Sequence, residues 1–150
     1  LNLKTELYNK KQGNSYKVPL YLAEAKGERI YIIPLLGKGL WGPIYGNIAL
    51  KEDMNTIFGA GFGHDKETPG LGAEISTREF ADQAKGKTIF TEDGKFFSLI
   101  VKKGGVSSMP QADQIHGVDA ISGGTITCDA VTKMIENCLE NYVEYFKSQQ

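Results

Sequence analysis

The sequence predicts an α+β domain with a largely antiparallel sheet and two main helices, the longer one C-terminal. Three observations predict it. Runs of β-branched and aromatic residues sit at hairpin spacing between Val18 and Phe62. Val131, Met134, Ile135, Cys138, Leu139, Tyr142 and Phe146 recur at spacings of three and four, the stripe of an amphipathic helix of about five turns. The order is strands, helix, strand, helix, without the strand–helix alternation of a doubly wound fold. One hundred and fifty residues make one domain, 1–150, that buries roughly 68–70% of its unfolded surface.

Residues 1–15 are polar, with a weak helical pattern at Leu3, Leu7 and Tyr8 closed by Gln12-Gly13-Asn14-Ser15. Val18–Ala25 and Arg29–Leu36 form a hairpin over the turn Ala25-Lys26-Gly27-Glu28. Pro34 places its strand at an edge or a bend. A glycine loop, Gly37–Pro43, surrounds Leu40 and Trp41. Ile44–Lys51 and Asn55–Phe62 are two further strands joined at Glu52-Asp53-Met54, and Gly63–Gly72 is a second loop. Ala73–Ala84 reads as one helix with Ile75, Phe80 and Ala84 inward, ended by Gly86. Phe96–Lys102 is a strand, and Gly104–Asp119 is long and irregular, a length that usually carries function. The final helix keeps Cys128 on its apolar stripe and Asp129, Lys133, Glu136, Glu140 and Glu144 on its polar face.

Seventeen basic and 18 acidic residues leave a net charge of −1, so no general basic field exists for nucleic acid or an anionic membrane. The longest uncharged run in the apolar half, Gly39–Leu50, falls short of the ~20 residues of a membrane span. The chain begins at Leu1 without a signal peptide, which reads as a fragment or processed chain with room for an upstream anchor. Cys128 and Cys138 on one helix stand about 15 Å apart, beyond the ~7 Å a disulfide spans, and read as buried free thiols. His64 and His116 lack partners at zinc spacing, and no nucleophile–base signature occurs, so neither a metal site nor a catalytic residue is expected.

Glycine is the outlier: 18 residues, nine of them between Gly37 and Gly72. Tight hairpins explain some; close approach of backbone to a ligand explains others. The densest cluster is Asp119-Ala120-Ile121-Ser122-Gly123-Gly124-Thr125-Ile126-Thr127, a small-residue loop feeding the long helix. Exposed amides and the helix dipole make such a place an anion site. Equally, Ser122, Thr125 or Thr127 can cap the helix. The glycine spacing fits neither a Walker loop nor a dinucleotide fingerprint.

This cluster resembles the flavinylation motif of the FMN-binding domain family, Asp-x-x-Ser-Gly-Ala-Thr-x-Thr, with Gly124 where alanine is usual. Glu67-Thr68-Pro69-Gly70-Leu71-Gly72 resembles the family's second motif, which packs against the flavin ring. Gly39-Leu40-Trp41-Gly42-Pro43-Ile44-Tyr45-Gly46 resembles the segment in the family branch found in sodium-translocating NADH:quinone reductases. The branch in the Rnf electron-transport complex tends to lack that tryptophan. The three segments follow the family's order over residues 39–127.

The resemblance implies a covalent FMN, phosphoester-linked to the last threonine of the motif, Thr127. It implies that Ser122, Gly123, Gly124, Thr125 and Ile126 hold the phosphate end. Leu40, Trp41, Leu71 and the Thr68 backbone would form an apolar slot for the ring, completed by Gly70 and Gly72. Glu67 and Thr68 would hydrogen-bond its polar edge, and Lys103 would lie nearby. Asp119 would serve recognition by the flavin transferase, which uses Mg²⁺ and FAD. The implied role is electron transfer from NADH toward quinone as one subunit of the sodium-translocating reductase, without a complete active site of its own. Its partners would be the membrane subunits of that complex. The domain would lie on the periplasmic, extracytoplasmic side of the cell membrane, anchored by a helix preceding Leu1. The rivals are a Rnf-type or other flavinylated reductase domain, a non-redox phosphate- or nucleotide-binding module, and an interaction domain in which the cluster is only a cap.

Overall fold

The computed structural model describes residues 1–149. Strands β1 (Tyr21–Ala25), β2 (Glu28–Lys38), β3 (Pro43–Leu50) and β4 (Ile57–His64) form an antiparallel meander in that order. Lys26 and Gly27 take φ of 51° and 80° between β1 and β2. Positive φ at both central residues is what a tight two-residue hairpin requires. β1 pairs with β2 only as far as Ile32, so Pro34 lies where one side of β2 is already an edge and needs no N–H. Side chains alternate along β3, with Ile44 and Ile48 buried and Tyr45 and Asn47 exposed.

Helix α1 (Leu3–Lys11) buries no residue and is tied on by Lys10, whose Nζ lies 2.6 Å from Glu140 Oε1. The region read as one helix over Ala73–Ala84 is divided. A 3₁₀ turn at Gly72–Ser76 gives way to extended Thr77 and then α2 (Arg78–Asp82). Thr77 causes the break: its hydroxyl accepts from Phe80 N–H and donates to the Glu74 carbonyl, closing one turn and opening the next. Ile75, Phe80 and Ala84 are nonetheless all buried. The strand read over Phe96–Lys102 shortens to β5 (Ile100–Lys102), because Ser98 takes a left-handed φ of 71° that no regular strand allows. β5 pairs in parallel with β6 (Gly117–Asp119), which lies inside the irregular stretch, after two 3₁₀ turns.

The C-terminal helix is α3 (Thr125–Leu139), a 3₁₀ turn at Glu140–Tyr142, and α4 (Val143–Gln149). The apolar stripe continues through the joint, since Cys138, Leu139, Tyr142 and Phe146 are all buried. α3 lies along β2 and against β5. A Cβ on Gly37 would stand 2.8 Å from Met134 Cβ, so the bare glycine lets helix and strand meet. Ile33, Leu35, Ile44, Ile48, Ile57, Ile75, Val131, Ile135 and Leu139 fill the core. Cys128 and Cys138 are free and buried, and burial pushes both thiols above the ordinary cysteine value. Among the described residues, no helix is long and apolar enough to cross a membrane.

Candidate functional site

The meander brings the end of β2, the start of β3 and the end of β4 to one edge of the sheet. The 39–42 loop and the 65–72 loop therefore emerge side by side. α3 runs back along β2, with Cys138 Sγ near the Leu36 carbonyl and Met134 over Gly37, so its first turn arrives at the same edge. Between the three segments lies an open cleft of about 390 Å³, within the ~300–1,000 Å³ of ordinary ligand sites. It is lined by Leu40, Trp41, Thr68, Leu71, Gly72, Gly123, Gly124, Thr125, Ile126 and Thr127. Residues far apart in the chain, all expected to be at one site, are thus brought together.

Its apolar walls are exposed. Trp41 is 62% exposed, Ile126 59%, Leu40 45% and Leu71 43%. Four large apolar side chains converging on one exposed cleft mark a place that something covers. Its floor is a helix start without a lid. The N-cap of α3 is Gly124, and no side chain caps the helix. The capping alternative for Ser122, Thr125 and Thr127 therefore does not hold, and the first-turn amides face the cleft end. Gly123 has φ of 78°, and a Cβ there would stand 2.6 Å from Leu71 Cδ2. The left-handed φ favours glycine here, and its bare Cα lets Leu71 rest against the loop.

The two threonines of that turn differ. Thr127 is 2% exposed and its Oγ1 donates to Glu67 Oε1 at 2.5 Å. A Cβ on Gly72 would collide with that hydroxyl, so it is packed from above as well. Thr125 is half-buried, lines the cleft and bonds its hydroxyl to none of the described residues. The acceptor expected from the motif, Thr127, is thus the enclosed hydroxyl, and Thr125 is the available one.

Glu67 also differs from expectation. It is only 4% exposed and stands behind the cleft wall. Its carboxylate accepts from Leu40 N at 3.1 Å, Trp41 N at 2.8 Å and Thr127 Oγ1. Burial opposes its charge, but the Thr127 hydroxyl, the Trp41 and Leu40 amides and nearby His64 outweigh burial and hold the carboxyl below the ordinary glutamate value. With these bonds made inward, it does not line the cleft. His64 Nδ1 lies 3.2 Å from Glu67 N and accepts from its N–H, which ties the two residues of this loop together.

Ser122 and Gly70 flank the cleft in sequence without lining it, and Lys103 is an exposed residue after β5 that does not line it either. Asp119 is exposed at the end of β6, where its Oδ1 accepts from Val106 N at 2.7 Å and its backbone is bracketed by Gln83. No cluster of three metal-ligating side chains occurs among the described residues. A second hollow of about 440 Å³, lined by Asn55, Thr88, Glu92, Asp113 and His116 among others, contains no residue of the three motifs. In it His116 is held by Thr88 and stacks on Phe97.

The sequence matches the family model described as FMN-binding domain over residues 39–140. The NqrC protein of the Na(+)-translocating NADH-quinone reductase of Chlamydia muridarum is 42% identical over 123 residues, covering 74% of this chain and 38% of that protein. Its Pseudomonas aeruginosa counterpart is 37% identical over 117 residues, 77% of this chain and 44% of its own. The chain thus spans about two-fifths of the length of these curated relatives. The crystal structure of NqrC from Parabacteroides distasonis superposes with a TM-score of 0.84 at 41% identity, covering 97% of this chain and 69% of that one.

Proposed function

The chain belongs to the FMN-binding domain family, and from that premise we propose that it carries FMN covalently on Thr125 and relays electrons in a sodium-translocating NADH:quinone reductase. The observation that carries the reading is the uncapped start of α3, opening into an apolar cleft with one unpartnered hydroxyl at its edge. The first-turn amides and the helix dipole hold the phosphate and offset its charge. Leu40, Trp41, Leu71 and Ile126 flank the ring and keep water from it, while the open side of the cleft leaves an edge for electron exchange. Bound FMN supplies reversible electron uptake, which no side chain here can supply.

Thr125 rather than Thr127 is the attachment residue in this reading. Attachment replaces AMP on the flavin-side phosphorus of FAD. The Thr125 Oγ–P bond forms, the P–O–P link breaks, AMP leaves and the hydroxyl proton is released to solvent. A flavin transferase performs this step, and the exposed Asp119 is part of what it recognises. The membrane subunits of the reductase are the partners, and the domain lies on the extracytoplasmic side of the membrane.

The test is co-expression with a flavin transferase, followed by denaturing-gel fluorescence, intact mass and fragment mass spectrometry. The expected wild type gains FMN minus water, with the fragment mass on Thr125. Thr125→Ala loses the adduct, and Thr127→Val keeps it, formed more slowly. An adduct located on Thr127 would move the attachment back to the enclosed hydroxyl. An unlabelled wild type, in cells where a known acceptor domain is labelled, would overturn the flavin reading.

A further inference from the structure

We infer that Glu67 is the positioning residue of the cleft: its buried carboxylate latches the Leu40–Trp41 wall to the first turn of α3. Three chain segments meet at this one group. Oε2 accepts from Trp41 N, while Oε1 accepts from Leu40 N and from Thr127 Oγ1. The carboxylate is seated between two glycines. A Cβ on Gly39 would stand 2.9 Å from Oε1, and one on Gly72 would stand 3.3 Å from it. Any larger residue at either position pushes the latch out. The loop it holds has little other support, since Leu40 and Trp41 are exposed and the loop closes on itself through one bond, Gly39 N–H to the Gly42 carbonyl.

The latch needs a carboxylate. Three donors converge on it, and a glutamine has one acceptor oxygen and one donor group. If its oxygen keeps Leu40 and Thr127, its NH₂ meets the Trp41 N–H donor to donor. If it flips to serve Trp41, Leu40 N–H loses its acceptor. Either way one backbone donor of the wall is left unpaired, and the wall loosens without any change in side-chain size. The charge also persists to low pH. Because Glu67 titrates below its ordinary value of 4.5, its contribution is complete above that pH and is lost as pH falls through the lower folded value.

Trp41 is the only tryptophan of the chain, so it reports the wall directly, with no flavin present. The consequence for cofactor loading rests on the flavin reading above; the latch itself does not. The experiment compares wild type, Glu67→Gln, Thr127→Val and Thr127→Ser. Each is measured for Trp41 anisotropy and acrylamide quenching from pH 7 downward, urea stability, and rate of flavin attachment. In Glu67→Gln we expect lower anisotropy, stronger quenching and attachment slowed roughly five- to tenfold, the scale of one unpaired buried donor. Thr127→Val gives a smaller change in the same direction, and Thr127→Ser restores wild-type signals. In wild type, Trp41 signals move toward those of Glu67→Gln only below the ordinary glutamate value, and a His64→Gln control separates any change that comes from the imidazole beside Glu67 N–H.

A rigid Trp41 in Glu67→Gln would overturn the latch. A mobile Trp41 with unchanged attachment would overturn its positioning role. Should Glu67→Gln fail to fold, Thr127→Val, which removes one donor and keeps the charge, decides by the same readings. A wild type that takes no flavin would instead overturn the premise, and the flavin-free Trp41 signals tell that case apart.

Discussion

Thr77 covers the start of α2 with its own hydroxyl, bonded to Phe80 N–H, while α3 starts on Gly124 with no side chain over its first amides. Helix α1 follows the first pattern, with Asn2 accepting from Thr5 N–H. Hydroxyl residues are available around α3 as well, at Ser122, Thr125 and Thr127, yet none is used as a cap. Thr127 is turned inward to Glu67 and Thr125 faces the cleft. A glycine in place of a side-chain cap costs a helix only roughly a few tenths of a kcal/mol, so the open start is cheap to keep. The difference supports the proposed role of the α3 first turn as the phosphate end of the site, while α1 and α2 close their own starts.

Beyond the loss of adduct in Thr125→Ala, the largest effect that would break this comparison comes from capping α3. The Gly124 backbone at φ −111° accepts a side chain, and its ideal Cβ meets Leu71 only at 3.4 Å. Gly124→Asp supplies the missing cap together with a negative charge where the phosphate would sit. Flavin attachment should fall at least tenfold, while the urea stability of the flavin-free protein holds or rises by roughly a few tenths of a kcal/mol. Unchanged attachment would show that these amides do not hold the phosphate.

Thr77→Ala is the converse test. It removes a cap with no ligand role, so stability in urea should drop by about 1 kcal/mol while the attachment rate stays at the wild-type value. Asn2→Ala should be smaller still, about 0.5 kcal/mol or less, because α1 buries no residue and its start is exposed. Slowed attachment in either variant would mean that the three helix starts are not functionally distinct.

Much of the site is legible in the sequence because its residues cluster in three short segments. Every cleft-lining residue belongs to one of them, since glycine and small-residue motifs mark backbone approach directly. The differences from expectation fall on side-chain direction. Thr127, Val131, Met134 and Cys138 follow one another at spacings of four, three and four, which places Thr127 on the buried stripe of α3. Thr125 is two residues, about 200°, around the helix from it. That periodicity points the Thr127 hydroxyl inward. Glu67 is different: a charged residue in a glycine-rich loop reads as solvated, and only the convergence of the 40–41 amides and Thr127 makes it a buried acceptor.

The local features were set by the sequence itself. Alternation built the meander, the three-four stripe built α3, and Lys26-Gly27 turned the first hairpin, because each depends on neighbours within a few residues. Tertiary structure decided what depends on distant partners. Thr77 divided one expected helix, the left-handed Ser98 shortened a strand to the piece that pairs with β6, and Gly37 let α3 settle onto β2. It also decided which of two threonines faces the cleft and which is spent on Glu67, 60 residues away in the chain. A hydrogen bond of that span carries no local periodicity, so it becomes visible only when the sheet edge and the helix start arrive at the same place.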